Sequence, residues 1–326
     1  MSGFLPASEK RSFLLYLFIV CFSICCLFFG TVGLSLVSVT LGFFGFFRLI
    51  YFLEGHIKNI PSFMTLPGKI LFGLSEKESD YKKHILKRLQ QKDILFWFIC
   101  GVLYTGWVIF CGLNIKSHDD ISIIFKKDLT VVMGLSYLNI YETFHGIVWI
   151  CISGLILFLA LTYSQSKSFL KNSFIFFLPL FVGLSFLLGW YVFQKNNFVF
   201  SFPPFYTGLI QGIGIGKADL IYTYQKDIFL YPPTDLFKRY IEVGLVGIIL
   251  FFILFLIPFL MFLKNIIRQE THAFYSFCAS LVLLSLVIID SFVIDPVLLR
   301  PLQIIGLTLV GLVWGHTKNA FKTNNH

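Results

Sequence analysis

Near residue 240 the run TDLFKRYIEVGLVG gathers four charged side chains, Asp235, Lys238, Arg239 and Glu242. Asp235, Arg239 and Glu242 recur at i, i+4 and i+7, so a helix places them on one face. Pro232 and Pro233 break the chain ahead of them, and Thr234 is a good N-cap for a helix running on into the next apolar stretch. Basic residues at such an end add to the positive pole of the helix dipole. Two cations and that pole suit an anion, with Asp235 and Glu242 holding the basic side chains in place. A purely structural reading stands beside this one. An Asp235–Arg239 pair contributes only about 0.2–0.5 kcal/mol, and Lys238 can reach toward lipid headgroups.

Upstream, GIGIGK at 212–217 imitates two nucleotide motifs and satisfies neither. A phosphate loop needs a first glycine where Gln211 stands and a hydroxyl where Ala218 stands; a dinucleotide fingerprint needs its third glycine where Lys217 stands. The surviving reading of Gly212, Gly214 and Gly216 is a backbone turn, where helices approach closely or where a ligand meets main-chain amides. Elsewhere, Asp290, Asp295 and Arg300 frame a tight apolar hairpin. They form either a charge clamp across it or, through Arg300, a phosphate contact. His145 follows Glu142 by one turn at the start of an apolar run, as a general base or as an interfacial cap.

The elements that must position these groups are membrane helices. Of 326 residues, 57% are hydrophobic and 13% charged, and 41 are phenylalanine. Soluble domains average about 25% charged residues, so an aqueous fold is excluded. The apolar runs are continuous and near the ~20 residues that a helix needs to cross a bilayer, unlike the ~10-residue alternating strands of a barrel. The fold class is therefore all-α, a polytopic bundle of about eight crossings at 12–30, 33–53, 94–113, 145–163, 174–193, 243–263, 273–294 and 297–315. The first run is expected to be a retained helix rather than a cleaved signal, with a tight turn to the second near Gly30–Gly33. The 7 cysteines fall in or beside apolar runs without metal-ligand spacing and read as packing residues.

Lysine and arginine concentrate in alternate loops, which by the positive-inside rule predicts both termini in the cytoplasm. Residues 54–93 are then a cytoplasmic basic loop whose segment DYKKHILKRLQQKD suits an anionic leaflet or a solvated surface. Residues 114–144 and 194–242 face outward, and the whole chain, 1–326, is one integral domain. The net charge of +9 reflects this orientation, and no nucleic-acid platform accompanies it.

The order of an outward G-x-G-x-G, a polar and aromatic stretch, and a helix reading FKRYIEVGLVG resembles the C-terminal signature of the O-antigen ligase and O-antigen polymerase group. Gly212, Gly214, Gly216, Phe237, Glu242, Gly244 and Gly247 carry the match, over about residues 205–260. Pro233 and Thr234 stand where the ligases carry a His-Asn pair, which suits the polymerase branch better. The resemblance implies a metal- and cofactor-independent glycosyltransferase of the bacterial cytoplasmic (inner) membrane. It would act on polyprenyl-diphosphate-linked glycans at the outer face, in polysaccharide or lipopolysaccharide biosynthesis.

On that reading Arg239 and Lys238 meet the diphosphate, assisted by Arg300 or Lys217. Asp235, Asp227 or His145 is the base, Glu242 supports the cations, and Gly214 and Gly216 let the loop close over the donor. Two rival functions stay open: a flippase of lipid-linked intermediates, which needs charges near the bilayer midplane, and a non-catalytic subunit of an envelope complex.

Overall fold

A computed structural model describes residues 17–18, 20–25, 30–53, 92–113, 148, 150–157, 160, 167–194, 210–212, 214, 235–268, 272–292 and 296–323. Six helices organise them: α1 (Gly30–Leu53), α2 (Lys92–Leu113), α3 (Lys167–Gln194), α4 (Asp235–Ile267), α5 (Ala273–Phe292) and α6 (Pro296–Thr323). Residues 20–25 and 150–157 are helical as well, and the described residues contain no strand. Within α2, α3 and α4 the segments Lys92–Gly112, Leu170–Trp190 and Lys238–Ile267 are long and apolar enough to cross a membrane.

Each of the six helices falls on one expected apolar run, with α3, α4 and α6 extending seven or eight residues past it at one end; the runs at 12–30 and 145–163 are described only in part, and one expectation is corrected. Gly30–Gly33 was expected to be a turn, yet α1 begins at Gly30 and the helix runs through all four residues. Glycine lowers helix propensity by about 1 kcal/mol, and here continuation into the apolar stretch outweighs that cost.

The bundle is built around α6. Leu302, Ile305, Leu309, Val313 and Trp314 are fully enclosed. It packs against α3, α4 and α5, while α4 also packs against α5 and α2. A β-carbon at Gly311 would lie 2.6 Å from Cβ of Ala160 and 2.9 Å from the Leu157 carbonyl oxygen, so only glycine lets the 150–160 segment approach α6 so closely. The outward surface is apolar. Phe186 is 76% exposed, Trp190 63% and Ile267 72%, a covering that suits lipid and not water.

Hydroxyls inside these helices bond back to their own backbone, as Thr40 Oγ1 does to the Leu36 carbonyl at 2.8 Å and Ser185 Oγ to that of Phe181 at 2.8 Å. Such bonds satisfy a polar group where no water reaches. Asn265 near the end of α4, and His272, Ser276 and His316, are polar residues that are all buried; the two imidazoles stand edge-to-face, centroids 4.5 Å apart.

Candidate functional site

The site begins with a break in α4. Gly244 has φ 68° and ψ −171°, a conformation in which a side chain would be strained. An unbroken helix would pair the Glu242 carbonyl with the Val246 N–H, and the Val243 carbonyl with the Gly247 N–H. At the break the Val246 N–H turns to the Ile210 carbonyl, and in an apolar setting a carbonyl beside such a break needs another donor.

Residues 210–214 supply the first exchange. Gly214 N–H donates to the Glu242 carbonyl at 2.9 Å, and Val246 N–H reaches the Ile210 carbonyl at 3.5 Å. The approach is backbone to backbone and leaves no room for side chains. A β-carbon at Gly212 would overlap the Glu242 carbonyl, and one at Gly244 would lie 2.6 Å from the Gly212 nitrogen. The positive φ of Gly214, 107°, turns the segment so that its N–H can enter. Gly212 and Gly214 on one side and Gly244 on the other therefore meet in space as the two halves of one clasp.

Helix α2 supplies the second exchange. Trp107 Nε1 donates to the Val243 carbonyl at 2.8 Å. Further along, Pro258 lacks the N–H that would bond the Leu254 carbonyl, and Trp97 Nε1 donates to that carbonyl at 3.0 Å. The α2 chain passes from Trp97 to Trp107 as α4 is traversed from Leu254 back to Val243, so the two helices run antiparallel. Their two indoles act as a splint across both interruptions. Replacing Trp107 by phenylalanine leaves the Val243 carbonyl to the weak Cys111 Sγ donor at 3.9 Å and is expected to cost about 1–3 kcal/mol. Detergent unfolding of the purified protein measures it. The same change at exposed Trp190 is expected to stay within about 0.5 kcal/mol.

Arg239 uses the bend. Its guanidinium carbon lies over the Phe251 ring, 4.6 Å from the centroid. In a straight helix residues 239 and 251 would be about 18 Å apart along the axis, far beyond side-chain reach. The contact requires the chain to fold between them, and Gly244 is where it does. Phe251 is itself packed by Tyr104 (centroids 6.1 Å apart) and Phe255 (4.8 Å), within a buried cluster that includes Val108 and Val243. A cation thus rests on a buried aromatic floor on α4, the helix that the clasp closes on.

Among the other expected site residues, Lys238 and Glu242 lie half-buried in the first two turns of α4, and Arg300 lies half-buried in the second turn of α6. Glu242 contributes its backbone carbonyl to the clasp. Asp235 is the first residue of α4, and Asp290 lies near the end of α5; their side chains, with His145, Lys217, Gly216, Asp227 and Asp295, lie outside the described residues. Sequence reasoning did not single out Trp97, Trp107, Tyr104 or Phe251. A signal existed for the tryptophans. An indole N–H inside an apolar run needs an acceptor, and Pro258 frees a carbonyl four residues before it.

Comparison of this chain with family models, with curated proteins and with solved structures found no match.

Proposed function

We propose that this chain is a multi-span enzyme of the bacterial inner membrane, with about eight crossings and both termini in the cytoplasm. It transfers or polymerises polyprenyl-diphosphate-linked glycan at the outer face, as the resemblance to the O-antigen polymerase and ligase group suggests. Residues 54–93 are its cytoplasmic loop, and 114–144 and 194–242 its outer segments. The observation that carries the reading is Arg239, held over Phe251 beside a helix break to which residues 210–214 are fastened.

The reaction joins an acceptor hydroxyl to the anomeric carbon of the donor glycan. The bond from that carbon to the diphosphate oxygen breaks, its electron pair leaves with the polyprenyl diphosphate, and the hydroxyl proton passes to a base. Arg239 and Lys238 stabilise the departing diphosphate, with Arg300 or Lys217 assisting, because charge that develops on a leaving group is met best by preorganised cations. Arginine suits phosphate since its planar fork offers paired N–H donors. Asp235, Asp227 or His145 takes the proton.

A flippase is the second reading, since a broken membrane helix is common at transporter binding sites. The position of the break counts against it: Gly244 lies close to one end of the apolar segment Lys238–Ile267, whereas transporter sites cluster near the midplane. The purified protein, incubated with undecaprenyl-diphosphate-linked oligosaccharide, is expected to release undecaprenyl diphosphate and form longer glycan. Movement of the intact lipid-linked oligosaccharide across vesicles without covalent change would favour the flippase instead.

A further inference from the structure

Resting on the reading of Arg239 as a diphosphate ligand, we propose that Phe251 is a positioning residue for this site: its ring holds the guanidinium in place before the phosphate oxygens meet it. A free arginine carries about 2 kcal/mol of rotamer entropy that binding would otherwise have to remove. An arginine already resting on a ring has lost part of that freedom before ligand arrives. The ring attracts the cation through its quadrupole and not through a carbonyl or carboxylate oxygen, so the platform holds the guanidinium without exhausting its five N–H donors.

The platform is itself held. Phe251 is only 5% exposed, with Tyr104 from α2 and Phe255 one turn further along α4 against it. Trp107, which donates to the Val243 carbonyl, packs against the same cluster. One assembly therefore secures the helix break and the aromatic floor together. A leucine at 251 would fill much of the space but lacks the ring quadrupole that attracts a cation.

The distinguishing experiment grades the quadrupole while keeping the shape. Full-length protein carrying phenylalanine, then mono-, di- and trifluorophenylalanine at position 251, is titrated in detergent with undecaprenyl diphosphate, with undecaprenol as the comparison lipid. Expected is a stepwise loss of diphosphate affinity with each fluorine, reaching roughly tenfold at three, with little change for undecaprenol. Phe251→Leu should weaken binding similarly, and Phe251→Trp should restore it. Equal diphosphate affinity across the fluorinated series would overturn the positioning role. If wild type failed to prefer undecaprenyl diphosphate over undecaprenol, the diphosphate-site reading itself would fall and this inference with it; that outcome is distinct from a flat series on a wild type that does discriminate. Unfolding midpoints run alongside the titrations identify any variant that has lost its fold, and the fluorinated series, closest in shape to phenylalanine, then decides.

Discussion

Arg239→Ala is expected to lower glycan transfer by about 100-fold or more at normal abundance in the membrane, the effect typical of removing one preorganised donor from a developing anion. Arg239→Lys keeps the charge and loses the paired donors, so its rate should fall between the two. The assay is release of undecaprenyl diphosphate by purified protein. Stability should move much less, since a cation–π contact contributes about 0.5–2 kcal/mol. That separation matters: a large loss of rate with a nearly unchanged unfolding midpoint marks a group that acts on the substrate. Equal transfer by wild type and Arg239→Ala would remove Arg239 from the site.

Gly244→Ala should have the largest effect on the fold. Two costs coincide at this position. At φ 68° and ψ −171° the backbone lies in a region that only glycine adopts readily, and a side chain there costs about 1–3 kcal/mol. The new methyl would also press on the Ile210 carbonyl oxygen, 2.5 Å from where its carbon must stand, and on the Gly212 nitrogen at 2.6 Å. Both contacts are with backbone, in a segment that is hydrogen-bonded to α4 on either side of Gly212, so relief by a side-chain shift is not available. The sum is about 3 kcal/mol or more, read as a lowered unfolding midpoint and reduced membrane abundance. Gly183→Ala and Gly189→Ala are the internal controls. Nothing lies within 4 Å of an added β-carbon at either, and both sit inside α3, so no loss is expected and helix propensity should add up to about 1 kcal/mol of stability.

Much of the helical layout was legible because hydrophobic run length is a local property. The run at 94–113 became α2, Lys92–Leu113, and the run at 273–294 became α5, Ala273–Phe292. The clasp was not legible in the same way. In the sequence, Gly212–Gly216 reads as a loop and Gly244–Gly247 as a helix face. Only their approach shows that Gly212 and Gly244 exclude side chains for each other's sake.

The charged face at 235–242 was visible by its spacing, whereas the aromatic floor was not. A helical wheel extends one axis indefinitely, and Arg239 meets Phe251 only because the axis turns at Gly244. The splint fell outside local pattern for the same reason, since the indole of Trp97 and the carbonyl freed by Pro258 are 157 residues apart in the chain. Each is a polar group that an apolar environment obliges to find a partner, but the sequence does not say which.

The most direct test of the account is a distance across the clasp. In a protein freed of its 7 native cysteines, Ile210→Cys and Val246→Cys should be joined rapidly and in high yield by a short thiol-to-thiol linker in native membranes, because their backbones are hydrogen-bonded. The pair Ile210→Cys with Ile267→Cys, which α4 separates by about 30 Å, should not join. Failure of the first pair to cross-link above the level of the second would mean that residues 210–214 do not close on the broken helix, and the support for Arg239 would go with them.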